Sequence, residues 1–102
     1  MTFTIKRNDT RTALKAKLIN RSGNPVELAG ATVRFVMNNG ISRDALIIDE
    51  PNGEVLFVFR PGDTSHSGIY KAEFRVTYPD GNRETFPNNG HIPVYIYPNL
   101  GE

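Results

Sequence analysis

From Ile69 to Tyr78 the chain alternates apolar and polar residues. Tyr70, Ala72, Phe74, Val76 and Tyr78 share one face, and Lys71, Glu73, Arg75 and Thr77 the other. That period of two predicts a half-buried strand, because successive side chains of an extended backbone point to opposite faces. A slip of one residue would turn the whole apolar set to water, so the register is strongly specified. The strand runs into Tyr78-Pro79-Asp80-Gly81-Asn82-Arg83. There Pro79 presets φ for a type I turn and Gly81 suits the left-handed position of a G1 bulge. A returning strand over Arg83 to Phe86 completes a hairpin.

The same pattern recurs along the chain. Glu54 to Arg60 places Val55, Phe57 and Phe59 opposite Leu56 and Val58. Being apolar on both faces, it needs a covering element or a subunit contact. Pro51-Asn52-Gly53 links it to a strand over Ala45 to Asp49. Ala31 to Met37 puts Val33, Phe35 and Met37 on one face until Asn38-Asn39-Gly40 breaks it. Phe3 to Lys6 and Ile92 to Tyr97 are further short strands, and Pro93 places the last at an edge or starts it just after the proline. Thr12 to Ile19 has fair helix propensity, yet Leu14, Ala16 and Leu18 alternate with Lys15 and Lys17, which reads as strand. No window sustains helical spacing for three turns. The expectation is all-β: one sandwich of about seven to nine strands over residues 1–102, with 98–102 frayed. Phe35, Val55, Phe57, Tyr70, Phe74 and Val76 are its expected core.

Composition narrows the function classes. A length of 102 residues suits one domain, and a 38% hydrophobic content supports a core without staples. Twelve Lys+Arg against eleven Asp+Glu leave a net charge of +1, no field for a phosphate backbone, so no nucleic-acid partner is expected. Without cysteine there is neither a disulfide framework nor a Cys-based zinc site. Apolar runs stay far below the ~20 residues of a membrane span, so no membrane partner is expected. Met1 to Arg7 lack the layout of a secretory leader. The sequons at Asn8 and Asn20 therefore carry little weight.

Candidate chemistry is sparse. The two histidines, His66 and His91, lie in turn-like segments. Asp63, Thr64, Ser65, His66 and Ser67 hold the residue types of a hydrolytic triad, but neighbours on one turn rarely converge on one reacting atom. A polar loop satisfying its own backbone is the better reading. No spacing supports a metal site at His66, His91 and a carboxylate. Asp49 and Glu50, adjacent at a strand end, lack the geometry for paired acid/base work. Isolated turn glycines make no phosphate loop. No catalytic, cofactor or metal residue is assigned.

Two features point to partners instead. Lys6, Arg7, Arg11, Lys15, Lys17 and Arg21 fall in the first 21 residues, opposed only by Asp9. They form either a basic edge for an acidic partner or a solvated face that blocks strand aggregation. Tyr95, Tyr97 and Phe86 form an aromatic set near the C-terminus. If Val94 and Ile96 face the core, Tyr95 and Tyr97 face outward, as docking anchors or as rings wetted at the sandwich end. The candidate contacts are Lys6, Arg7, Arg11, Lys15, Lys17, Tyr95 and Tyr97.

Asp63 through Ala72 resembles the acid-x-Gly-x-Tyr-x-Cys corner of immunoglobulin domains, with Ala72 at the cysteine position. The resemblance implies that the Tyr70 hydroxyl bonds back to the chain a few residues upstream. A wider resemblance strings several motifs together. They are Ile5-Lys6-Arg7-Asn8-Asp9-Thr10, Gly30-Ala31-Thr32-Val33-Arg34-Phe35, Gly53-Glu54-Val55, Gly68-Ile69-Tyr70-Lys71-Ala72-Glu73-Phe74, Tyr78-Pro79-Asp80-Gly81 and Thr85-Phe86-Pro87-Asn88. Their order over residues 3 to 97 resembles the immunoglobulin-like N-terminal domain of siphophage baseplate upper proteins. The resemblance implies a non-enzymatic part of a phage tail or baseplate, made in the host cytoplasm and carried in the virion. Its implied partners are other tail and baseplate proteins. A host-surface glycan and a second copy of the chain stay open beside them. The sequence ends after the domain, so a module without the family's receptor-binding arm is expected.

Overall fold

The structure, a computed structural model, describes residues 1–101. Glu102, the end of the segment expected to fray, lies outside the described residues. Nine strands follow in order: β1 (Phe3–Lys6), β2 (Leu14–Lys17), β3 (Thr32–Met37), β4 (Ile41–Asp44), β5 (Leu46–Asp49), β6 (Glu54–Phe57), β7 (Gly68–Thr77), β8 (Arg83–Phe86) and β9 (Ile92–Tyr97). The chain is all-β, as its alternation requires.

The strands form two sheets. One has the order β1-β9-β7-β3-β4, with β8 also on β7; the other has the order β2-β6-β5. The long strand β7 organises the first sheet. Its first half pairs with β9, its second half with β8, and β3 lies along its other side. The apolar face read from the sequence is the buried one: Ala72, Phe74 and Val76 are buried, and Tyr70 and Tyr78 pack partly buried beside them. Between the sheets Phe35 stacks on Phe57 at 4.0 Å between centroids, and Phe59 and Phe74 meet Phe35 edge-on. The arrangement is a β-sandwich consistent with the immunoglobulin-like expectation.

The turns behave as their residues dictate. Gly81 takes φ 88°, its N–H donates to the Tyr78 carbonyl, and β8 returns in register from Arg83. The Tyr70 hydroxyl donates to the His66 carbonyl at 2.9 Å, the backward bond implied by the corner motif.

Three expectations change. Asn38-Asn39-Gly40 does not simply end β3; it turns the chain into β4, whose single inward aliphatic, Ile41, leaves no alternation to read. The strand expected to reach Arg60 ends as a ladder at Phe57, although Phe59 continues into the core. And β9 is not an edge strand, because β1 pairs with it in parallel from Phe3↔Val94 to Lys6↔Tyr97. Pro93 is tolerated there for a local reason. It faces Lys71, whose N–H and C=O both bond to Asn38 on the far side of β7. The position without an N–H therefore looks away from β7, toward a flank that β1 has not yet reached.

Candidate interaction surface

Along β9 the inward residues are Ile92, Val94 and Ile96, all buried, so Pro93, Tyr95 and Tyr97 stand on the outer face. The two tyrosine rings lie 6.1 Å apart and within 15° of parallel. The ladders then decide their neighbours. Lys6 of β1 sits opposite Tyr97, Thr4 opposite Tyr95, and Ile69 of β7 opposite Tyr95 on the other side. Ile69 is 74% exposed and Tyr97 47% exposed. The result is an outer surface with an aliphatic and aromatic centre and lysine at two borders, Lys6 and Lys71. Such amphipathic rings suit a protein or sugar partner, since they offer large contact area at small entropic cost. Ile69 was the residue to find: the alternation of β7, carried one step back from Lys71, puts it on the polar face.

The other candidates do not join this surface. Lys15 and Lys17 project from β2 on the outside of the second sheet, where Lys15 lies 3.2 Å from Glu54. Arg11 is exposed in the segment between β1 and β2. Arg7 is half-buried, and its Nε donates to the Ser65 carbonyl at 2.8 Å. Asn99 donates from Nδ2 to the Arg7 carbonyl. Phe86 leaves the aromatic set altogether. It is buried opposite Phe74, because β8 turns that position toward the core.

The loop with triad residue types is committed to structure. Asp63 accepts from Arg43 at 2.7 and 3.0 Å and from the Arg60 N–H. Burial works to raise the Asp63 pKa, but the Arg43 and Arg60 hydrogen bonds and the Arg43 charge outweigh it and hold it below the ordinary value. The same hydrogen bond raises the Arg43 pKa, against a smaller effect of burial. Thr64 is fully buried and donates to the Asp9 carbonyl. Ser65 Oγ and His66 Nδ1 do touch, at 3.0 Å, while the hydrogen bonds of the Asp63 carboxylate go to Arg43 and the Arg60 N–H, not to the ring. Asn39, which donates to the Asp63 carbonyl, closes one side of the loop. At the opposite seam of the sandwich, Leu18, Ile19, Phe86, Pro87, Asn88 and His91 line an open cleft of about 300 Å³. Nothing in the sequence pattern marks that cleft. Among the described residues, no group of three or more His, Asp or Glu side chains is placed to hold a metal ion.

A family model described as the BppU N-terminal domain, the N-terminal domain of baseplate upper proteins, matches residues 2–89. The chain belongs to that family. The chain is accordingly a phage baseplate structural protein, a component of the virion tail that contacts other tail or baseplate proteins. No curated protein matches the chain. Among solved structures, the crystal structure of CopC from Methylosinus trichosporium OB3b is similar over 99% of this chain and 88% of that one, with TM-score 0.57 and 16% identity. At that identity the likeness establishes the fold alone. The family match stops before β9, so Tyr95 and Tyr97 lie outside the matched stretch.

Proposed function

We propose that this domain is a non-catalytic part of the phage tail tip, made in the host cytoplasm, that takes part in baseplate assembly or host adsorption. It binds a neighbouring baseplate protein through the outer face of β9. The observation that carries this reading is the convergence of Ile69, Tyr95 and Tyr97 on one face with Lys6 and Lys71 at its borders. Large exposed apolar groups ringed by cations are the surface chemistry of a protein contact with an acidic rim. Arg11, Lys15 and Lys17 stand ready for further contacts elsewhere on the molecule.

The test is incorporation into virions. A phage carrying Tyr95→Ala and Tyr97→Ala should assemble tails that contain less of this protein by immunogold labelling and mass spectrometry. The isolated variant should melt as the parent does. Undiminished incorporation sinks the tyrosine face as the contact. A second reading, a carbohydrate-binding module, is favoured by the parallel exposed rings, which sugar faces can stack against. Glycan-array binding that disappears with the same pair, while virion incorporation persists, would select it.

A further inference from the structure

The three-stranded sheet has two free edges of opposite charge. At one edge β2 turns Lys15 and Lys17 outward, and its chain is flanked by Arg11 and Arg21. At the other edge β5 is bracketed by Asp44, Asp49 and Glu50, and no Lys or Arg occurs between Asp44 and Phe59; Arg34 of β3 lies 3.9 Å from Asp44, whose side chain stays 84% exposed. Topology creates this polarity: β6 lies between β2 and β5 and pairs with both, so the basic start of the chain and its acidic middle take opposite sides of one sheet.

The acidic edge carries neither lysine nor proline, although a bulge between Ile47 and Asp49 interrupts its ladder with β6. Natural sheets blunt a free edge with lysine or proline, because its unpaired N–H and C=O groups can template another strand. β2 carries two lysines; β5 reads Leu-Ile-Ile-Asp and pairs with β6 alone. On its outer face Leu46 is 57% exposed and Ile48 47% exposed, with Val58 and half-buried Leu56 beside them on the β6 side. Lysine side chains suit that surface, since their methylene stems cover apolar groups while the ammonium reaches a carboxylate. The Lys15–Glu54 bridge is exposed on the lysine side and gives little resistance to exchange.

We propose that the β5 edge of one copy pairs with the β2 edge of the next, joining three-stranded sheets side by side in a head-to-tail assembly. β2 and β5 both run antiparallel to β6, so a repeat that keeps strand direction sets β5 parallel to the incoming β2. Lys15 and Lys17 then lie over Leu46 and Ile48, within reach of Asp44 and Glu50. A two-fold pairing is disfavoured either way, because β5 on β5 gathers carboxylates and β2 on β2 gathers lysines. A head-to-tail contact grows into a ring if the rotation closes and a filament if it does not. The proposal is independent of the tyrosine face and of the domain's place in a tail.

The test is a charge exchange read by sedimentation equilibrium between about 0.01 and 1 mM protein, at about 50 and 500 mM salt. The parent should gain mass with concentration at low salt and lose that gain at high salt. A Lys15→Glu, Lys17→Glu variant has two acidic edges, and an Asp44→Lys, Glu50→Lys variant has two basic ones. Each alone should stay monomeric, and an equimolar mixture should associate. Leu46→Lys, at an exposed position, should abolish association while leaving the melting midpoint near the parent's, so the idea stays testable if a double variant folds poorly. A parent that is monomeric throughout overturns the proposal. So does a dimer that stops at two and ignores Lys15→Glu, Lys17→Glu, or a mixture that behaves as the sum of its parts.

Discussion

Asp63 is half-buried beneath the guanidinium of Arg43, which also lies 4.8 Å from the centre of the Phe57 ring. The carboxylate thus ties the loop after β6 to β4 and to the core at one point. Its folded pKa lies below the unfolded value of about 3.9, so the stabilisation is complete above that pH and is lost as pH falls through the folded pKa. Asp63→Asn should lower stability at neutral pH by roughly 2–3 kcal/mol and flatten the acid limb of a stability–pH profile. An unchanged acid limb would mean that another carboxylate governs it. Tyr78 is pushed up to about 12 by burial, then by its hydrogen bond to Glu84 and that carboxylate's charge, so it stays protonated across the working range. Gly53 is required for two reasons at once. It holds φ 64°, and a Cβ there would lie 2.8 Å from the carbonyl oxygens of Leu18 and Val26. Gly53→Ala should therefore cost roughly 2 kcal/mol or more in a denaturant titration, whereas Gly62→Ala, with open space around it, should cost only its backbone strain.

Strands were legible where their own residues alternate. β7 declares its buried face over ten residues, and the turn into β8 is written in Pro79 and Gly81. Phe74→Ala should lower stability by about 3–5 kcal/mol, because the ring is fully buried against Phe35 and opposite Phe86. An unchanged urea midpoint would contradict the register of the whole sheet. β4 was not legible. Its residues Ile-Ser-Arg-Asp have one buried aliphatic, and the partners that turn Arg43 inward, Asp63, the Phe57 ring and the Val58 carbonyl, lie fourteen to twenty residues on. The place of β9 was hidden for a similar reason. Proline reports that one N–H is missing, but only the distant start of β1 decides whether any ladder bond is lost. In both cases local sequence states what a strand offers, and a non-local partner determines what it does.

At the scale of the molecule, charge and topology had to be combined before either meant much. The cations of the first 21 residues are one cluster in sequence, but the fold deals them to two sheets and the loop between. Lys6 goes to the tyrosine face, Lys15 and Lys17 to the β2 edge, and Arg7 inward to Ser65. The candidate surface was half legible: alternation gave the outward tyrosines, while their meeting with Lys6 and Ile69 depends on pairings between strands some ninety and twenty-five residues apart. The parallel union of β1 with β9 has a mechanical side as well. The chain enters at the foot of one strand and leaves at the head of the other, so tension between the two ends slides these strands against each other instead of peeling them apart. Under such a pull the hydrogen bonds of that ladder would be loaded together instead of one at a time.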